Sequence, residues 1–149
     1  MAANELADCP FYLVTRASLA ITAHLKRALA AAGAGAVRPS YLGVLMSLWQ
    51  EDGQRVVELG RRAGLEPSTM TGLLDRMERD GLVTRSPDPT DRRVLRVRLT
   101  TEGARVRPGV DSVLDASLEG LLNGVTGDDL ESLKRSLRVV LTNTDRGET

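Results

Sequence analysis

"LGRRAGLEPSTMTGLLDRMERDGLVTRSPDPTDRRVLRVRLTTEG", residues Leu59 to Gly103, holds the reading of this chain. Its opening residues close a short helix from Val57 to Ala63, with Gly64 as the stop. Glu66 and Pro67 then start a second helix. Proline suits the first helical position, where its missing N–H leaves no bond unmade. Met70, Leu73, Leu74 and Met77 recur at i, i+3, i+4 and i+7, so one face of that helix is apolar. Gly81 ends it. "LVTRS" reads as a strand and "PDPTDRR" as a turn. In the strand that follows, Leu95, Val97 and Leu99 face one way and Arg96, Arg98 and Thr100 the other, a period of two. The segment is therefore a helix–turn–helix followed by a two-stranded hairpin.

Outward from this core, helices occupy both ends of the chain. Leu6 to Ala32 forms a long helix, with Leu13, Leu19, Ala20, Ala23 and Leu29 near helical spacing and Pro10 in its first turn. Pro39 and Ser40 open "SYLGVLMSLWQ", apolar almost all round and therefore buried. Gln54–Val56 forms a short strand. Beyond the hairpin, Thr100 caps a helix that Pro108 bends or delays. Val106, Val110, Val113, Leu114, Ser117, Leu118 and Leu121 make a stripe along it. Thr126 caps the last helix, where Leu130, Leu133, Leu137, Val140 and Leu141 share a face. The tail "NTDRGET" frays. The terminal stripes are broader than a chain of 149 residues needs for itself, which points to packing on a second copy.

Composition narrows the class of function. Hydrophobic residues make up 42% of the chain, enough for a packed core, while aromatics are only 3%, so that core rests on Leu, Val and Ala. No apolar run approaches the roughly 18 residues of a membrane span, and "MAANELADCP" lacks the pattern of a secretory signal. A single cysteine excludes an internal disulfide framework. These features predict a cytoplasmic protein without a membrane partner. The net charge is zero, but Arg55–Arg107 carries twelve arginines against eight carboxylates, and the remainder has the opposite imbalance. Basicity is concentrated around the hairpin.

The helix starting at Pro67 presents Ser68, Thr69 and Thr71 in its first turn, with Arg76 further along. Small hydroxyls beside open backbone N–H groups suit a groove edge or a phosphate, and they equally suit an ordinary helix start. The hairpin adds a second contact element, because Arg92 and Arg93 sit at its tip. Arg96 and Arg98, alternating with a buried face, read as solvated strand residues.

The whole stretch resembles the winged helix–turn–helix of the MarR family of bacterial transcriptional regulators. D-P-x-D-R-R followed by an alternating strand and L-T-x-E-G carries the resemblance, as does "LLDRMERDGLV". It implies a mainly α fold, a winged helix–turn–helix at 37–103 with helical dimerisation regions at 1–36 and 104–149. It also implies a homodimer on double-stranded DNA, reading half-sites of a pseudo-palindromic operator spaced about 34 Å apart. By position, Ser68, Thr69 and Thr71 would contact bases or phosphates and Arg93 would enter a minor groove. Arg92 would meet a phosphate, and Asp91 would hold the wing arginines by charge-assisted hydrogen bonds. Many members take up phenolic or aromatic effectors between the dimer helices and the DNA-binding lobe. Arg16, His24 and Trp49 are the candidates here to line such a pocket, although core packing is the simpler account of Trp49 and Tyr41.

Some members of that family sense organic hydroperoxides through a cysteine near the start of the first helix, and Cys9 falls close to that place. The tyrosines that serve the thiol in those sensors have no counterpart around His24 and Arg38, and a lone cysteine is commonly a small hydrophobe. His24, the only histidine, cannot complete a zinc site with one cysteine, and it has no triad partners. With no phosphate loop or dinucleotide motif either, no enzyme activity, metal or cofactor is expected. A thiol-switched regulator and a winged-helix protein–protein interaction module remain the alternatives to a ligand-relieved repressor. Steep salt dependence of binding separates DNA recognition from the interaction module.

Overall fold

The computed structural model describes residues 6–146. It divides into two compact units, one running through Ser117 and the other beginning at Leu118.

The first unit opens with helix α1 (Pro10–Ala31). Proline at its first position and Cys9 in extended conformation at the N-cap fix the start, so the residues from Leu6 lie outside this helix, contrary to the apolar pattern alone. A 3₁₀ turn, Pro39–Tyr41, leads into α2 (Leu42–Gln50). Strand β1 (Gln54–Arg55) and helices α3 (Val56–Ala63) and α4 (Pro67–Arg79) follow. Strands β2 (Val83–Pro87) and β3 (Leu95–Leu99) form the expected hairpin. The sheet is antiparallel in the order β1-β3-β2, with Gln54 opposite Val97, Arg55 opposite Arg96 and Arg85 also opposite Val97. The result is a winged helix–turn–helix within a mainly helical chain.

The core explains the placement. Leu42, Val44, Leu45 and Leu48 of α2 pack with Leu59 of α3, with Met70, Leu73, Leu74 and Met77 of α4, and with Val83 and Val97 of the sheet. The whole predicted stripe of α4 is buried, which leaves its other face to solvent. Of the α1 stripe only Leu29 joins this core; Leu13 and Leu19 are exposed at 51% and 62%. Val97 is buried, whereas Leu95, on the same side of β3, is exposed near the wing tip.

Two turns set the angle of the wing. After α4, Gly81 takes φ +77°, a conformation that side chains disfavour, and Leu82 N–H closes back on the Met77 carbonyl at 3.0 Å. At the far end of the wing, Thr100 caps α5 (Thr101–Arg105). Its hydroxyl donates to the Gly81 carbonyl at 2.6 Å and accepts from Gly103 N–H at 2.9 Å, while Thr100 N–H donates to the Leu82 carbonyl. Gly103 is pressed against that same strand entrance: a Cβ there would stand 2.0 Å from the Leu82 carbonyl oxygen. The L-T-x-E-G run is thus a knot tying both ends of the wing together.

Helix α6 (Arg107–Leu121) follows α5 after a break at Val106, as expected from Pro108, which has no N–H to continue the ladder. In the second unit, α7 (Gly127–Arg146) is capped by Thr126, whose hydroxyl accepts from Asp129 N–H at 3.2 Å. Leu133, Leu137, Val140 and Leu141 are all exposed on it. The expected fraying of "NTDRGET" does not begin at Asn143, because the helix continues to Arg146; the last three residues lie outside the described ones.

Candidate nucleic-acid interface

Helix α4 begins without a side-chain cap. Glu66 occupies the N-cap in extended conformation and makes no capping hydrogen bond. The first helical bond runs from Met70 N–H to the Glu66 carbonyl at 2.9 Å, so the N–H groups of Ser68 and Thr69 precede the ladder and stay open. Ser68, Thr69, Thr71 and Arg76 are all exposed. The Thr71 hydroxyl turns back to the Pro67 carbonyl at 3.2 Å, which leaves its oxygen lone pairs for a partner. The uncapped N-terminus and its partial positive charge suit an anion or a base-edge acceptor.

The wing tip is built on two aspartates with different tasks. Asp91 accepts from the backbone N–H of Arg93 at 3.1 Å and from its Nε at 3.2 Å. That contact orients the Arg93 stem while its side chain stays 92% exposed. Arg92 is likewise exposed. Asp88 lies beneath them and is buried. Its carboxylate accepts from the Thr90 hydroxyl at 2.6 Å and Thr90 N–H at 2.8 Å, and it pairs with Arg96 Nε at 2.6 Å and Arg55 Nε at 3.4 Å. The Thr90 hydrogen bonds, with Arg96 adding to them, hold this carboxyl well below the usual carboxylate range. Arg96 also donates to the Gly53 carbonyl at 2.7 Å. It is therefore a strut of the wing rather than the solvated strand residue that alternation suggested. The Asp-Pro-Thr order, typical of a turn held by its own side chain, is the one sequence signal that could have singled out Asp88.

A third cluster joins helix to wing. Arg85 of β2 bonds to Asp75 and, at 2.8 Å, to Glu78, both on α4. Its backbone N–H also donates to Glu78 at 2.7 Å. These bonds lower the Glu78 carboxyl and raise the Arg85 guanidinium, each stabilising its charged form. Spacing alone gave no hint of this pairing.

Arg16, His24 and Trp49, the candidates for an effector pocket, do not line the cavity described below. Arg16 is exposed on α1, and His24 is half-buried there. The Trp49 indole N–H donates to the Gly103 carbonyl at 2.9 Å, and the Arg107 guanidinium lies 5.9 Å from its ring centre, so this tryptophan braces the wing knot. A cavity of about 400 Å³ opens instead beside Thr22, Lys26, Val37 and Arg38. Cys9 is a free, half-buried thiol at the α1 N-cap. The Tyr41 hydroxyl is committed to Asp80 at 2.6 Å. No group of three or more metal-ligating side chains occurs among the described residues, and no described helix is long and apolar enough to cross a membrane.

A sequence profile of the MarR family matches residues 39–95, from the 3₁₀ turn to the start of β3. The organic hydroperoxide resistance transcriptional regulator of Bacillus subtilis (strain 168) is 33% identical over 103 residues, which is 69% of this chain and 68% of that protein. The transcriptional repressor IacR of Pseudomonas putida is 31% identical over 137 residues, covering 91% of this chain and 80% of its own length. In three dimensions the fold matches the PcaV transcriptional regulator of Streptomyces coelicolor, solved in complex with its natural ligand. That match has a TM-score of 0.85 and 27% identity over 95% of this chain and 98% of that one. The chain belongs to the MarR family and is a DNA-binding transcriptional regulator rather than an enzyme.

Proposed function

We propose that the protein is a homodimeric, cytoplasmic repressor that binds a pseudo-palindromic operator and is released by a small aromatic ligand. Ser68, Thr69, Thr71 and Arg76 meet the major groove, Arg93 enters a flanking minor groove, and Arg92 sits on a phosphate. Asp91 holds Arg93 in register. The observation that carries this reading is the pairing, in one compact unit, of an uncapped helix start with a wing tip whose Arg93 side chain is 92% exposed. Exposed apolar side chains support the dimer: Phe11, Leu13, Val14 and Leu19 on α1, and Leu133, Leu137, Val140 and Leu141 on α7. In this reading residues 1–36 and 104–149 form the dimer and 37–103 the DNA-binding region. The ligand-bound PcaV structure and the repressor IacR support relief by a ligand and negative regulation.

A gel-shift titration on duplexes from the gene's own upstream region, repeated at several salt concentrations, tests the proposal. The expected result is a specific complex whose affinity falls steeply with salt. Sedimentation at the same concentrations should give twice the chain mass. A salt-independent complex, or a chain that sediments as a monomer when DNA-bound, contradicts the proposal.

A second reading, a thiol switch at Cys9, is favoured by the hydroperoxide-resistance relative and by the half-buried thiol. Tyr41 does not serve that thiol, because its hydroxyl is held by Asp80. Unchanged DNA binding after organic hydroperoxide treatment removes this reading.

A further inference from the structure

Gly60, Gly64, Gly72 and Gly81 lie within or beside the helix–turn–helix, and three of them have a reason inside the chain. Gly64 and Gly81 take φ +68° and +77° in the turns that end α3 and α4. A Cβ on Gly60 would stand 3.0 Å from Met70 Cγ and 3.3 Å from the Leu65 carbonyl oxygen, so α3 packs on α4 by virtue of its absence. Gly72 has neither reason. It lies inside α4 without a positive φ, and only Arg76 Nη1 comes within 4 Å of its Cβ position, at 3.6 Å, an ordinary contact. A glycine inside a helix costs stability relative to alanine. Nothing in the packing of α4 offsets that cost.

The position of Gly72 on the helix points outward. A helix turns by about 100° per residue, so Ser68, Gly72 and Arg79 fall within about 40° of one another, on the side away from Met70, Leu73, Leu74 and Met77. This is the centre of the face assigned to the major groove. Ser68 and Gly72, one turn apart, are its two smallest residues, and at Gly72 the backbone itself is the surface.

Arg76, one turn further on, lies back over that bare turn, the direction that helical side chains take. Its guanidinium makes no ion pair among the described residues, and the neighbouring Asp75 is engaged by Arg85. An arginine laid along a helix extends little from the axis, so it meets a base edge only when the backbone beneath it comes close. In the major groove, guanine offers O6 and N7 side by side, and together they accept two N–H groups of one guanidinium.

We infer that Gly72 is a specificity-determining residue: its bare turn lets the α4 backbone close on the base edges, where Arg76, laid across it, takes the O6 and N7 of a guanine in each half-site. The inference rests on α4 being the DNA-reading helix, and it names the base read and the residue that permits the reading.

Selection of bound duplexes from a random pool, with the full chain, gives the half-site, and titrations at several salt concentrations give the affinities. The wild type should select a fixed guanine in each half-site. Its replacement by 7-deazaguanine, which lacks the N7 acceptor, should weaken wild-type binding by about tenfold and leave Arg76→Gln binding unmoved. Gly72→Ala isolates the approach to DNA, because the chain itself has room for that methyl group. Its urea midpoint should rise while operator affinity falls by about tenfold, with binding to a scrambled duplex and the salt slope unchanged. A merely structural role would move stability and affinity in the same direction. Gly72→Ala binding to the operator as tightly as wild type, or a lowered urea midpoint, overturns the role of Gly72. A half-site without a fixed guanine, or a 7-deazaguanine that costs the wild type nothing, overturns the reading by Arg76. A wild type that prefers no duplex over the scrambled one refutes the operator reading itself, whereas a specific wild-type complex upholds that reading even where the Gly72 variant matches it.

Discussion

The Asp88 carboxylate and the Arg96 guanidinium meet at 2.6 Å under the wing, and Arg96 reaches on to the Gly53 carbonyl at 2.7 Å. The pair joins the wing loop to β1, so the height of the tip above the sheet depends on it. Asp88 is ionised in the folded chain because Thr90, and then Arg96, stabilise its charge. A carboxyl depressed in the folded state contributes stability above its ordinary value of about 4 and loses it as pH falls below that. Asp88→Asn should therefore lower the urea midpoint at neutral pH, and its difference from wild type should shrink on acidification. A difference that is the same at pH 3 and pH 7 would show that the charge of Asp88 plays no part.

Arg93→Ala removes the exposed guanidinium without touching the core. Operator affinity should fall by about 1–3 kcal/mol, with the unfolding midpoint unchanged. Arg92→Ala should weaken binding evenly across sequences and reduce the slope of log affinity against log salt by about 1. If Arg93→Ala binds as well as wild type, the tip does not enter a groove.

Much of this was legible in the sequence where the determinants are local. The stripe of Met70, Leu73, Leu74 and Met77, the proline start at Pro67 and the Thr100 cap all lie within one or two turns of what they control. The wing supports were not legible, because they are made by register. Arg96 finds Gly53 only because β1 pairs with β3, placing Arg55 opposite Arg96. For the same reason Asp88, the buried carboxylate beneath the wing, was not singled out beside Asp91. The bond from the Trp49 indole N–H to the Gly103 carbonyl was not legible either, since nothing near Trp49 in sequence announces Gly103. The α1 stripe has the right period but an unpartnered face, which periodicity cannot distinguish from a core face.

Two glycines in neighbouring helices should respond in opposite ways to the same added methyl group. A Cβ on Gly103 would meet the Leu82 carbonyl at 2.0 Å, and that oxygen already accepts from Thr100 N–H. Relief requires α5 to move off the strand entrance, so Gly103→Ala should cost about 3 kcal/mol, the upper end of ordinary overpacking. Gly109 in α6 has nothing within 4 Å of its Cβ position. Gly109→Ala should stabilise by about 0.5–1 kcal/mol through helix propensity and a less flexible unfolded chain. Chemical denaturation of both variants checks the contrast. Similar midpoints would mean that the knot at Gly103 is slack.

Arg85 gives the sharpest separation between holding the DNA-binding surface in shape and touching DNA. Its guanidinium sits between Asp75 and Glu78, three residues apart on α4, and its own N–H bonds to Glu78. Removing the cation leaves two carboxylates on neighbouring turns with nothing between them, and their repulsion loosens the contact of α4 with β2. Arg85→Met, which keeps the apolar stem, should lower stability by about 1–3 kcal/mol, the scale of hydrogen bonds to charged groups. Because helix and wing then lose their fixed relation, operator affinity should fall as well. The salt slope decides the cause. A side chain that neutralises a phosphate changes the slope when removed, whereas one that only positions others leaves the number of phosphate contacts unchanged. Arg85→Met should therefore shift the affinity line without changing its slope, and Arg85→Lys should recover part of the loss. A slope reduced by about 1 would instead place Arg85 on the DNA backbone.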